Sequence, residues 1–288
     1  MPRYRAVLFD FFGTLTRPVQ RGWRHAAVAD TLGCSPDALV DVLDQSYYLR
    51  ATGSLGDAEA SLRWIGRRTS ARPSEAALRT ALATRFAAIR ADTRLRAEAV
   101  GALRALRRYG LRIGLVSDCT HELPVLLSSL PVAPLIDARV FSIRLGRCKP
   151  DPAVFLTACR RLGVPPEDCL YVGDGGSREL TGATRAGMTA VRLAAPDLDG
   201  HLVFNSDTGW DGPTLTSLSQ VVDLVGDSDL RLVGDSGPWV PGRSPQPLPA
   251  HVRLPSGRHD IDGDPYRVLV GSHAGNVAGD VRTAGCLL

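Results

Sequence analysis

The chain has 288 residues, of which 44% are hydrophobic, enough for one large core or two modest ones. Its net charge of +4 is small and gathers into no long basic tract, so neither a nucleic acid nor a membrane surface is expected as a partner. The apolar run near the start is short and broken by Asp10, unlike a secretory leader, and no stretch approaches the ~18 apolar residues of a membrane span.

In chain order, residues 4–10 ("YRAVLFD") read as a buried parallel strand that runs into a Gly13-Thr14 turn. From about Pro18 to Leu95 the apolar spacing becomes helical. Four segments carry it, two of them opening on the helix-start signals Ser35-Pro36 and Pro73-Ser74. With no strand pattern there, residues 17–94 read as an all-helical insertion.

Strands and helices then alternate. "AEAVGALRALRRYG" is a helix ended by Gly110, and "LRIGLVS" a strand ending at Ser117. A short helix over residues 123–130 leads to the strand "ARVFSI". The helix "DPAVFLTACRRLG" follows, then the buried strand "CLYVGD", the helix "SRELTGATRAG" and a closing strand in "MTAVRLA". This order predicts an α/β fold, a doubly wound, Rossmann-like parallel sheet built from residues 1–16 and 95–225. Ligands of such sheets sit beyond the carboxyl ends of the strands.

Residues 226–288 are rich in Gly and Pro and read as an irregular, partly disordered extension. Their "DIDGD" mimics a calcium loop but lacks the closing Glu and the required Gly position, so it reads as a polar turn. The six cysteines (34, 119, 148, 159, 169 and 286) form no CxxC pair, which fits reduced thiols of a cytoplasmic protein.

Of the 34 basic residues, 33 are arginine; the single lysine is Lys149. A compact ammonium is a point charge that a planar guanidinium does not mimic, which makes Lys149 a functional candidate. It belongs to a group of four features at predicted strand ends: Asp10, Ser117, "CKPDP" with Lys149, and "VGDGGSRE" with Asp174 and Glu179. A nucleophilic carboxylate, a hydroxyl, an ammonium and a second acidic cluster in one crevice suit attack on phosphorus.

These segments resemble the four motifs of the haloacid dehalogenase (HAD) superfamily: "DFFGTLT", "LVSD", "KPDP" and "VGDGGSRELTGATRAGM". The helical insertion is similar to that superfamily's C1-type cap. The resemblance implies a hydrolase, most often a Mg²⁺-dependent phosphatase of a small phosphorylated substrate. Asp10 would be the nucleophile and form an aspartyl-phosphate. Lys149 would stabilise charge, and Ser117, with Asp118 and Thr14 in the same motifs, would contact the substrate. Asp10, the main-chain carbonyl of Phe12, Asp174 and Glu179 would hold the metal.

Position 12 departs from the pattern. Family phosphatases usually carry a second Asp there to protonate the leaving group and activate water, and Phe12 does neither. Asp118 is the nearest substitute acid in sequence. Two other readings stay open: a HAD-fold binding protein with little catalysis, and a 2-haloacid dehalogenase, whose relatives have an aromatic at this position. Arg21, Arg24 and Arg50 are the insertion's candidates for reading an anionic group, against the plainer reading of a solvated helix face. Trp23 and Trp64 fit core spacing as well as a stacking role.

Overall fold

The computed structural model describes residues 3–199 and 201–226. Strand β1 (Ala6–Phe9) leads into a helical insertion, and the chain returns to the sheet through helix α6 (Ala99–Arg108) and strand β2 (Arg112–Ser117). Helix α7 (Glu122–Leu126), strand β3 (Ala138–Phe141), the short helix α8 (Ser142–Leu145) and helix α9 (Pro152–Leu162) follow. Strand β4 (Cys169–Gly173), helix α10 (Glu179–Arg185), strand β5 (Thr189–Leu193), strand β6 (Thr214–Leu215) and helix α11 (Leu218–Gly226) complete the sheet layer.

All pairings are parallel, in the order β3-β2-β1-β4-β5-β6. Helices α6 and α11 cover one face of the sheet, and α9 and α10 the other. Every residue of β1 and β4 is therefore buried, which explains their unbroken apolar sequences. The order of connection reverses between β1 and β4, so the crevice of a doubly wound sheet opens where these two strands end. Register aligns their ends: Phe9 sits opposite Val172, and the Asp10 N–H donates to the Val172 carbonyl at 3.0 Å. Asp10 thus leaves the sheet beside Gly173 and Asp174.

The insertion holds five helices: α1 (Trp23–Leu32), α2 (Pro36–Gln45), α3 (Tyr47–Ala51), α4 (Ala58–Arg68) and α5 (Glu75–Asp92). They enclose their own apolar centre, built on residues such as Leu32, Leu62, Ile65 and Leu78. Ser35, Asp57 and Ser74 cap α2, α4 and α5 by accepting backbone N–H bonds. The sequence pattern merges α2 and α3 into one helix. The structure breaks it at Ser46, whose hydroxyl donates back to the Val42 carbonyl at 2.5 Å. At the base of the insertion a single antiparallel bridge, Thr16 to Leu95, ties the outgoing and returning chain.

Strand β6 and helix α11 have no counterpart in the sequence reading, because a two-residue strand after a Gly-Pro pair gives no period to read. The reading of residues 227–288, with the calcium-like turn and Cys286, lies outside the described residues. Among the described residues, no helix is long and apolar enough to cross a membrane.

Candidate active site

The loop after β1 is a tight turn in which the Phe11 carbonyl accepts the N–H groups of Thr14, Leu15 and Thr16. Gly13 has φ +79°, and a Cβ there would collide with the Asp174 carboxylate, so the close approach of the two acidic loops requires glycine. Arg96, buried in the segment just before α6, holds the turn from behind. Its Nε donates to the Thr14 carbonyl at 3.0 Å, its Nη2 to the Gly13 carbonyl at 2.8 Å, and its Nη1 pairs with Asp197 at 2.7 Å. Arg96→Met should strand these carbonyls and cost about 2–3 kcal/mol in urea unfolding, at about 1–3 kcal/mol for each buried group left unsatisfied. An unchanged midpoint would show that the turn holds itself.

The turn presents Asp10 to Lys149. Lys149 Nζ donates to Asp10 Oδ1 at 2.6 Å and to Glu179 Oε2 at 2.5 Å, and all three side chains are buried. Glu179 also accepts the Tyr171 hydroxyl at 2.8 Å and the Gly175 N–H at 2.9 Å. Burial pushes the Asp10 carboxyl up to about 6, against the pull of Lys149. Burial would lower Lys149, but Asp10 and Glu179 outweigh it and hold the ammonium well above its ordinary range. Lys149 is thus a fixed cation whose position is set by Glu179 from one side and Asp10 from the other.

Asp174, at the end of β4, completes the acidic group. Its Oδ1 accepts the Gly176 N–H at 2.9 Å and its Oδ2 lies 2.9 Å from His201 Nε2. Burial works to raise its pKa, yet His201 and the Gly176 N–H hold it below the usual value. The turn that follows places Ser177 and Arg178 at φ 53° and 50°, a left-handed backbone rare outside glycine. It is braced by bonds from their N–H groups to the carbonyls of Phe204 and Asn205. Asp207 then caps α10, accepting the Leu180 and Thr181 N–H groups and the Thr181 hydroxyl.

Oxygens of Asp10, Asp174 and Glu179 lie within 4.8 Å of one another. Such a set of hard oxygen donors fits Mg²⁺. Lys149 donates to Asp10 Oδ1 and not Oδ2, and the Phe12 carbonyl takes none of the bonds in its turn. Glu179, expected among the metal ligands, belongs to this group and also holds Lys149, Tyr171 and the Gly175 N–H.

Asp10, Phe12, Asp118, Lys149 and Asp174 line one crevice, a cavity of about 180 Å³ whose opposite wall is the insertion. The insertion is fastened across it: the Tyr47 hydroxyl donates to the Asp118 carbonyl at 3.0 Å, and the Tyr48 hydroxyl to Ser177 Oγ at 3.2 Å. The Tyr47 ring stacks on Phe204 at 4.2 Å. Asp118 Oδ1 accepts the Lys149 N–H at 3.1 Å. Ser117 is buried, does not line the crevice, and has its hydroxyl 3.5 Å from the Asp118 carbonyl. Thr14 is fully buried and its hydroxyl finds no partner among the described residues.

On the insertion side, Arg21 and Arg50 line the crevice. Arg24 does not; its guanidinium stacks over Trp23, which is 71% exposed and serves neither core nor crevice. Trp64 packs against the insertion's apolar centre. His201, Arg96 and Asp207 escape the sequence reading. Each acts on a loop at least 26 residues away, and no local spacing signals such a contact.

A buried aspartate, tethered to a lysine at the switch point of a six-stranded parallel sheet, defines an α/β enzyme of the Rossmann-like layout. A family model described as "Hydrolase: haloacid dehalogenase-like hydrolase" matches residues 4–187, more than half of the chain. The chain belongs to the haloacid dehalogenase-like hydrolase family. A glyceraldehyde 3-phosphate phosphatase of Methanopyrus kandleri is 37% identical over 97 residues, 33% of this chain and 42% of that protein. The chain spans about half the length of the curated relatives it matches. Two solved structures share the fold. The HAD phosphatase of Thermococcus onnurineus has a TM-score of 0.54 at 21% identity, covering 77% of this chain and 98% of its own. The L-2-haloacid dehalogenase of Xanthobacter autotrophicus has a TM-score of 0.56 at 18% identity, covering 78% and 99%.

Proposed function

We propose that the chain is a Mg²⁺-dependent phosphatase of a small phosphorylated metabolite. In this reading residues 17–94 form a C1-type cap over a core of residues 1–16 and 95–225. The observation that carries it is the acidic group of Asp10 and Asp174 in one crevice with a lysine already bonded to Asp10. The phosphatase name of the Methanopyrus relative supports the same reaction class.

Asp10 Oδ2, free of the lysine, attacks phosphorus as the ester P–O bond breaks and the alkoxide leaves, taking a proton from water. A second water then cleaves the aspartyl-phosphate, releasing phosphate and restoring Asp10. Lys149 holds Oδ1 in place and offers its charge to a phosphoryl oxygen. Glu179 keeps the ammonium in that position. Asp10, Asp174 and the Phe12 carbonyl would hold Mg²⁺, which when bound neutralises charge on the phosphoryl oxygens. Ser117 and Thr14, as buried as they are, serve the shape of the strand end and the turn; the Asp118 carboxylate fixes the lysine loop by accepting the Lys149 main-chain N–H. The direct test is turnover on a panel of phosphorylated metabolites with Mg²⁺ and with excess EDTA. Hydrolysis that needs Mg²⁺, and weaker Mg²⁺ binding in Asp174→Asn by calorimetry, are the expected results. Full activity in EDTA, or activity on a halo-acid alone, would overturn the reading.

The Phe12 side chain lines the crevice and packs edge-on against Phe11, with ring centroids 5.0 Å apart. General acid–base help is worth ~10² to 10⁴ in rate, so its absence makes the enzyme slow on alkyl esters. Phe12→Asp should therefore raise alkyl phosphate turnover by about 10-fold or more. The gain should be smaller on nitrophenyl phosphate, whose leaving group needs no proton. Equal gains on both substrates, or none in a folded variant, would show that leaving-group protonation is not the limiting defect.

A further inference from the structure

Three arginines and a histidine line the cap side of the crevice, and all but one have a carboxylate partner. Arg21 pairs with Asp44 at 2.5 Å, His25 with Asp92 at 2.8 Å, and Arg85 with Glu122 at 2.5 Å. Arg50 has no ion pair among the described residues. It is only 5% exposed. Its Nε donates to Ser46 Oγ at 3.2 Å and its Nη2 to the Leu43 carbonyl at 2.7 Å, both neutral acceptors. Nη1 makes no bond among the described residues.

A buried charge is costly unless something of opposite sign meets it. The Leu43 carbonyl, near the C-terminal end of α2, offsets part of the charge through the helix dipole, but only a fraction of one unit. Burial, with Arg85 nearby, lowers the Arg50 pKa to about 9, so the guanidinium remains a cation at neutral pH. Across the cavity the balance is reversed. Asp10, Asp118 and Asp174 face the crevice around a single lysine. The crevice is therefore polarised, with surplus negative charge at the core end and one unmatched positive charge at the cap end.

We propose that Arg50 selects for a carboxylate on the substrate, at the end remote from the phosphoryl group, so that the preferred substrates are short phosphorylated carboxylic acids. The inference rests on the phosphatase reading of the core end. One guanidinium charge matches one carboxylate charge, and a guanidinium whose bonds use only Nε and one Nη2 proton has donors left for a carboxylate. Arg50 and Asp10 line the same crevice, so one small molecule can meet both.

The test uses the full chain with Mg²⁺ and two non-hydrolysable probes of equal length, 3-phosphonopropionate and 3-hydroxypropylphosphonate, compared by calorimetry. The carboxylate probe should bind about 10-fold tighter or better, the scale of a desolvated charge-assisted bond. Arg50→Gln should erase that preference and leave the hydroxyl probe's affinity unchanged. Arg50→Lys, which keeps the charge but loses the fork, should retain a reduced preference and covers the case in which the Gln variant does not fold. Equal affinity of the two probes for the wild-type protein would overturn the proposal, as would equal weakening of both in Arg50→Gln, the result expected of a purely structural arginine. If neither probe binds, the phosphatase reading itself falls and the inference with it.

Discussion

Replacing Asp10 by Asn is expected to remove turnover while leaving the fold at least as stable. The amide has the shape of the carboxylate and its oxygen still accepts from Lys149, so the turn after β1 keeps its contacts. It is not a nucleophile. Loss of a catalytic nucleophile is felt on the scale of 10⁴- to 10⁶-fold or so in kcat. The stability side follows from the burial of the carboxylate. Asp10 is nearly inaccessible, and its pKa near 6 shows that desolvation outweighs the help of Lys149. Removing that charge relieves a cost the fold bears for its function, and the ammonium keeps Glu179 as counterion. Thermal unfolding should therefore show an unchanged or higher midpoint. Residual phosphatase activity in a purified Asp10→Asn protein, free of contaminating enzyme, would falsify attack by Asp10.

The core strands and the Asp10, Lys149 and Asp174 loops are legible in the sequence because each rests on local pattern. Short apolar runs end in a carboxylate and a glycine turn, and parallel strands put such ends on one edge of the sheet. Lys149 stands out by composition alone, as one lysine among 34 basic residues. The rest depends on chain segments that meet only after folding. Glu179 reads from sequence as an acid of the metal group, and its bonds to Lys149 and Tyr171 appear only when β4, α10 and the loop before α9 are packed together. Arg50 reads from sequence as a candidate for an anionic group or as part of a solvated helix face; its burial and its bonds to Ser46 and the Leu43 carbonyl appear only once α3 packs against α2. Trp23 shows the converse. Helical spacing places it on an apolar stripe, but α1 begins there, before the helix reaches its packing partners, and the ring stays in solvent.

The second large effect is expected at Lys149, and it separates charge from catalysis. Lys149→Arg should lose nearly as much activity as Lys149→Met, about 10²-fold or more, the scale of deleting one electrostatic stabiliser. A single ammonium nitrogen lies within 2.6 Å of Asp10 and 2.5 Å of Glu179, in a site with almost no exposure. A guanidinium spreads the same charge over a wider, planar fork and overfills that space. Stability should divide the variants differently. In Lys149→Met two buried carboxylates lose their shared cation, a change of about 3–5 kcal/mol when one partner of a buried pair is removed. Glu179→Gln added to Lys149→Met removes one of the two stranded charges; the amide oxygen keeps the Gly175 N–H, and its NH2 donates to the Tyr171 hydroxyl oxygen where the carboxylate accepted from it. The double variant should regain most of the lost stability in urea unfolding and none of the activity. If the double variant stayed as unstable as Lys149→Met, the cost would lie in packing around the lost side chain rather than in unpaired charge. If Lys149→Arg kept most of its turnover, position 149 would need only a positive charge, and Glu179 would have no catalytic reason to hold an ammonium nitrogen against Asp10.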